Sequence, residues 1–197
     1  MSSDVGFHEF RFGLVVTADG DYYEPQLIEV KRTENGATFK TEKFTRGREE
    51  KRADLTLELR RRPGGLSWRC SVKGFKAIHG VRASIRFIPT GKIIVPSTPG
   101  VEVELEDEDS FSTPLNFARF AIFECKDKTL WVHSMQTPFK PSKMWISRFG
   151  DGMILDVLSE ELARERSAVY ESPLWVLEEV SGWREATHKY RAWMEKA

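Results

Sequence analysis

The chain has 197 residues, 40% of them hydrophobic and 30% charged, and its 30 Lys and Arg balance 30 Asp and Glu. That is the length of one large domain or two small ones, with apolar residues enough for a core and too many for a disordered chain. Zero formal net charge argues against a general grip on nucleic acid or an anionic membrane, no apolar run approaches the ~20 residues that span a bilayer, and two cysteines, Cys70 and Cys125, exclude a disulfide scaffold and a four-thiolate zinc site.

In chain order, residues 1–12 lack the basic segment, apolar core and small-residue cleavage site of a signal peptide, and the compartment stays open. Phe10, Phe12, Leu14 and Val16 then alternate with other residues up to Asp19-Gly20, the period of a strand. Residues 27–31 and 37–44 flank Glu34-Asn35-Gly36, where Asn-Gly predicts a tight primed turn. The run Arg46 to Arg52 mixes signs and reads as an exposed loop. Leu55, Leu57 and Leu59 alternate with Asp54, Thr56 and Glu58, and after Arg62-Pro63-Gly64-Gly65 the pattern returns in Leu66, Trp68, Cys70 and Val72, which predicts a hairpin of half-buried strands. Val81, Ala83, Ile85 and Phe87 make the next strand, closed by Pro89-Thr90-Gly91.

Val101, Val103 and Leu105 alternate with Glu102, Glu104 and Glu106. The three glutamates read as the solvated face of a strand, and Asp107, Glu108 and Asp109 as a turn into Ser110 rather than a calcium site. Ala118, Phe120 and Ile122 form one face of a segment whose other face is Phe117, Arg119, Ala121 and Phe123. Two apolar faces predict a central strand covered on both sides. Lys126-Asp127-Lys128 turns into Leu130, Val132 and Ser134. Met144, Ile146 and Arg148 pair with Met153, Leu155 and Val157 across Phe149-Gly150-Asp151-Gly152.

At least ten strands, with no long helical pattern between them, predict an all-β chain built as a large antiparallel sandwich, with a closed barrel as the other arrangement of the same pattern. The C-terminal residues differ. Trp183, Ala186, Tyr190, Trp193 and Met194 fall on one helical face, capped by Ser181 or Gly182. The domain reading is therefore a sandwich over 1–180 and a helix over 181–197. That helix is either a linker towards a missing catalytic domain or a terminal helix folded over a sheet. The linker reading puts Trp183 in the core and Trp193 nearer solvent.

Catalytic motifs are absent. The chain has no Gly-rich phosphate loop, no Gly-x-Ser-x-Gly elbow and no His-Glu-x-x-His. His8, His79, His133 and His188 are isolated in sequence, so no metal ligand, catalytic residue or cofactor is assigned. Cys70 and Cys125 sit in strand patterns as small hydrophobes. Of six tryptophans, Trp68 is in register with core residues, whereas Trp145 is out of register with Met144 and Ile146. Trp145 is thus the best candidate for stacking on a sugar ring. The Pro-rich stretch 136–143, beginning at Gln136, lies beside His133, and the two are candidate groove residues.

The C-terminal pattern resembles a known junction. Gly182-Trp183-Arg184-Glu185-Ala186 followed by Tyr190-Arg191-Ala192-Trp193 is similar to the W-x-x-A-x-x-x-Y-R-x-W helix that joins an N-terminal β-supersandwich, galactose-mutarotase-like in fold, to a (β/α)₈ barrel in large glycoside hydrolases. Pro173, Trp175 and Val176 resemble the P-x-W-V strand that closes that sandwich. Weaker likenesses lie in Leu130 to Ser134, Leu66-Ser67-Trp68 and Gly80-Val81-Arg82, and the whole spans about 55–197. The resemblance implies a non-catalytic N-terminal domain with two partners, a catalytic barrel of the same polypeptide and carbohydrate. In such proteins the catalytic carboxylates lie on the barrel. Mutarotases use a His pair and a Glu, a set not placed here. A free-standing carbohydrate-binding or sugar-epimerising sandwich and a protein-interaction module docking through the aromatic helix are the alternatives.

Overall fold

The computed structural model describes residues 5–7, 10–26, 29–62, 64–96, 101–115, 118–137 and 140–197; His8, Leu27, Pro63, Phe117 and the side chain of Phe87 lie outside what is described. Among the described residues the chain forms β1 (Val5–Phe7), β2 (Phe10–Ala18), β3 (Asp21–Pro25), β4 (Glu29–Thr33), β5 (Gly36–Arg46), β6 (Glu49–Arg62), β7 (Gly65–Lys73), β8 (Ile78–Pro89), β9 (Gly91–Val95), β10 (Val101–Val103), β11 (Ser110–Pro114), β12 (Phe120–Cys125), β13 (Thr129–His133), β14 (Ser142–Phe149), β15 (Gly152–Glu160), β16 (Val169–Glu171), β17 (Trp175–Val180) and one helix, α1 (Trp183–Met194).

Every ladder is antiparallel. One sheet runs β2-β8-β15-β14-β11, with β1 and the start of β3 on the free edge of β2. The other runs β4-β5-β6-β7, continues through β16 and β17 to β13, and ends β12-β9-β10. The end of β3 also pairs with β5, so one strand joins the two sheets at a corner. The fold is an antiparallel β-sandwich with a C-terminal helix.

The sandwich forms because the alternating aliphatics have only one dry place to go. Leu55, Leu57 and Leu59 of β6, Leu66, Trp68, Cys70 and Val72 of β7, and Met144, Ile146, Met153, Leu155 and Val157 of β14 and β15 are all buried in one inter-sheet cluster. Aromatics fill its width: Trp68 meets Phe12 edge-on at 5.7 Å and stacks on Trp175 at 6.2 Å. Each such side chain, fully buried, contributes ~1.5–3 kcal/mol. The strand with two apolar faces is central, as its sequence predicts. Ala121 and Phe123 of β12 enter the main core, while Phe120 and Ile122 join Trp131, Val180, Ala186 and Tyr190 in a second cluster on the outer face. The helix α1 closes that cluster over β12, β13 and β17.

Four local readings change. The segment Arg46 to Arg52 is not a loop. β5 and β6 continue to a two-residue turn, Gly47-Arg48, with Gly47 at φ 58°, because cross-strand charges complement each other (Lys43–Glu50, 2.6 Å). The turn before β5 is Glu34-Asn35, and neither residue has a positive φ, so it is not a primed turn. Gly36 instead begins β5, where a Cβ would meet the Leu59 carbonyl at 2.2 Å. The Val101 strand is short and on an edge: Val101 is exposed, while Val103 and Leu105 are only partly buried. On α1 the order of burial is the reverse of the linker reading. Ala186 and Tyr190 are buried and Trp193 packs on Tyr190 at 5.2 Å, whereas Trp183 is 43% exposed with Arg184 against its ring.

Candidate functional site: a basic groove on the outer face

The inward phase of β6 and β7 dictates what their outer face carries. If Leu57, Leu59, Leu66 and Trp68 point into the core, then Glu58, Arg60, Arg62, Ser67 and Arg69 point away from it. The tight β6–β7 hairpin sets Arg60 opposite Ser67 and Glu58 opposite Arg69. Beyond them lie His133 at the end of β13 and Val176 in β17, and the residues Met135, Gln136 and Leu174 form a wall. Together they enclose a groove of about 320 Å³, at the small end of the ~300–1,000 Å³ usual for ligand sites.

His133 is a buried polar group of the lining, its side chain 8% exposed. Its ring stacks on Trp131 at 3.7 Å between centroids, and Nε2 lies 3.3 Å from Glu178 Oε1. Burial holds the imidazole below its ordinary pKa, and the hydrogen bond from His133 holds the Glu178 carboxyl below its own. The pair is therefore a neutral imidazole donating Nε2–H to a carboxylate, which leaves Nδ1 as an acceptor. Among the described residues Nδ1 has no partner, nor do Trp131 Nε1 and Ser134 Oγ. So many unpaired buried polar atoms within residues 131–134 are unusual in a folded chain.

Gln136 holds the wall in place. Its Oε1 accepts the Leu174 amide at 2.7 Å, and its backbone carbonyl accepts from the buried guanidinium of Arg119. The lining itself holds three guanidiniums and one carboxylate, with the Glu171 and Glu178 carboxylates beside it. Arg60 pairs with Glu58 at 3.3 Å and Arg69 with Glu171 at 2.9 Å. Arg62 donates Nε to Ser67 Oγ at 3.1 Å and has no carboxylate in ion-pair range among the described residues.

Of the three residues singled out from sequence, His133 and Gln136 come together in this groove. Trp145 does not join them. It faces out from β14 in the other sheet, half-buried, with Lys143 Nζ 4.5 Å from its ring centre. The arginines escaped the sequence reading, although the signal was there: they occupy the polar phase on both sides of a tight turn. A larger hollow of about 530 Å³ on β4 to β7 is walled by mixed charges such as Lys73 and Asp54, which pair at 3.2 Å. Among the described residues no group of three His, Cys, Asp or Glu side chains could hold a metal ion. Burial pushes both Cys70 and Cys125 up to about 11, so neither thiol is a ready nucleophile.

Fold and groove together define a β-sandwich with a basic, partly apolar recess on its outer face. No protein-family model and no curated protein sequence matches the chain. Solved structures do. The galactosidase domain of alpha-galactosidase-sucrose kinase, AgaSK, is similar with a TM-score of 0.52 at 8% identity, over 86% of this chain and 30% of that one. The GH36 alpha-galactosidase AgaA from Geobacillus stearothermophilus is similar with a TM-score of 0.50 at 8% identity, over 85% of this chain and 30% of its own length. The likeness is one of fold, and the chain spans about a third of each of those proteins.

Proposed function

We propose that the chain is a non-catalytic, galactose-mutarotase-like N-terminal β-sandwich domain of a glycoside hydrolase. It supports a (β/α)₈ barrel of the same polypeptide and offers carbohydrate the groove at His133 and Gln136. The observation that carries this reading is the fold itself: nearly all of this chain matches less than a third of an alpha-galactosidase chain. The groove supports the non-catalytic part. Most glycosidases set two carboxyl groups on either side of the scissile bond, whereas this lining holds one, Glu58, against Arg60. One histidine lines it, not the pair a mutarotase uses.

The test has two arms. The purified chain incubated with a chromogenic aryl α-galactoside should release no more phenol than buffer; turnover abolished by replacing one of the chain's carboxylates would overturn the non-catalytic reading. A glycan array should show binding to at least one saccharide class, weakened by Gln136→Ala. A blank array would remove the carbohydrate role.

A further inference from the structure

We propose that the groove selects a sugar bearing an oxyanion, a uronate carboxylate or a sulfate ester, with Arg62 as its anchor. This rests on the carbohydrate reading above and adds the ligand's charge. Three observations carry it. First, the guanidiniums are not equivalent. Arg60 and Arg69 are engaged by Glu58 and Glu171, whereas Arg62 is steadied through Nε by Ser67 and keeps its remaining N–H donors. A guanidinium fixed at one nitrogen, with a free edge, suits the planar two-oxygen geometry of carboxylate or the oxygens of sulfate.

Second, the rest of the lining suits a sugar rather than a bare ion. Met135, Leu174 and Val176 supply apolar surface against which the C–H face of a pyranose can lie. Third, the polar groups complement hydroxyls. The His133 ring lines the groove, its Nε2–H committed to Glu178 and its buried Nδ1 without a partner among the described residues. Gln136 spends its Oε1 on the Leu174 amide, so its Nε2 is left to donate. Donors for the anion sit on the β6–β7 side, and Gln136, with the His133 ring beside it, sits on the β13 side. An inorganic anion would use only the first.

The experiment is calorimetric titration of the whole chain with digalacturonate, with galactose 6-sulfate, with neutral digalactose and with inorganic sulfate, at low and high sodium chloride. Expected is binding of at least one acidic sugar about tenfold or more tighter than the neutral one, weakened by salt. Arg62→Gln should erase that preference. Arg164→Gln, removing an exposed guanidinium beside Glu165, should leave it unchanged. The tighter of the two acidic sugars identifies the oxyanion. Equal affinity for acidic and neutral sugars, equal losses in both arginine variants, or inorganic sulfate binding as tightly as the sulfated sugar would each overturn the inference while leaving the carbohydrate reading intact. Binding of none of the sugars would overturn both. Circular dichroism of the variants shows that any loss is not unfolding.

Discussion

His133 spends folding energy to stay neutral. Its pKa is lowered in the folded chain, chiefly by desolvation and against the pull of Glu178, so the unfolded chain binds a proton more readily. Stability therefore falls as pH drops below the ordinary histidine value of about 6.5. The depressed Glu178 carboxyl adds a second loss at lower pH, which begins below the ordinary carboxylate value of 4.5 and is complete at its folded-state value. Melting temperature should decline between pH 7.5 and 5, and His133→Gln should flatten that decline; a slope unchanged by the substitution would assign the titration elsewhere. On α1 the two aromatic positions should separate. Tyr190 is 4% exposed, lies 4.9 Å from Phe120, and its hydroxyl accepts the Arg119 amide at 2.9 Å. Tyr190→Ala should cost about 3 kcal/mol or more, and Trp183→Ala about 1 kcal/mol or less, since that residue lies at the surface, 43% exposed. Urea melts of the two variants measure the difference.

At the scale of elements, α1 and the β6–β7 hairpin set the site. A helix of 12 residues is marginal alone, and α1 holds because Ala186 and Tyr190 seal the outer cluster. Its first turn is tied by Glu185, whose Oε2 accepts both the Ser181 amide and hydroxyl at 2.7 Å. Lys189 and these Ser181 bonds hold that carboxyl down at about 2. Removing residues 182–197 should leave Phe120, Ile122 and Trp131 in water, read as binding of a hydrophobic dye that the full chain does not show. The hairpin is fixed by close backbone approach. A Cβ on Gly65 would meet the Leu177 carbonyl at 2.0 Å, and that atom belongs to the backbone of β17. Gly65→Ala should therefore cost about 1–3 kcal/mol in a denaturant melt and shift the β6–β7 side of the groove against its β13 side.

For the whole molecule, the two sheets are joined by more than apolar contact. Trp175 of β17 donates Nε1 to Ser159 Oγ at 2.9 Å, and Tyr170 of β16 donates its hydroxyl to the Ser159 carbonyl at 2.8 Å. Both donors belong to one sheet and Ser159 to the other. Ser159→Ala leaves the buried indole N–H without its acceptor and should cost about 1–3 kcal/mol. With β3 shared between sheets and one core between them, that loss should move a single unfolding transition rather than split it, as followed by far-ultraviolet circular dichroism and tryptophan fluorescence together.

The sequence by itself determined the strand class, the hairpins at Arg62-Pro63-Gly64-Gly65 and Phe149-Gly150-Asp151-Gly152, the double burial of β12 and the C-terminal helix. Each is written as a local period or a turn residue, and period 2 leaves a strand only two faces to choose from. Tertiary structure decided the rest. The charged ends of β5 and β6 read as loop because their pairing lies between strands, not along one. Trp183 and Trp193 share a stripe, and only the position of α1 on β12 and β13 selects which packs. Trp145 and His133 look equally placed in sequence, yet they fall in different sheets. The groove is the clearest case. Its arginines, its histidine and Gln136 come from β6, β7, β13 and the residues beyond β13, and no local pattern encodes which strands become neighbours when a sheet closes over its core.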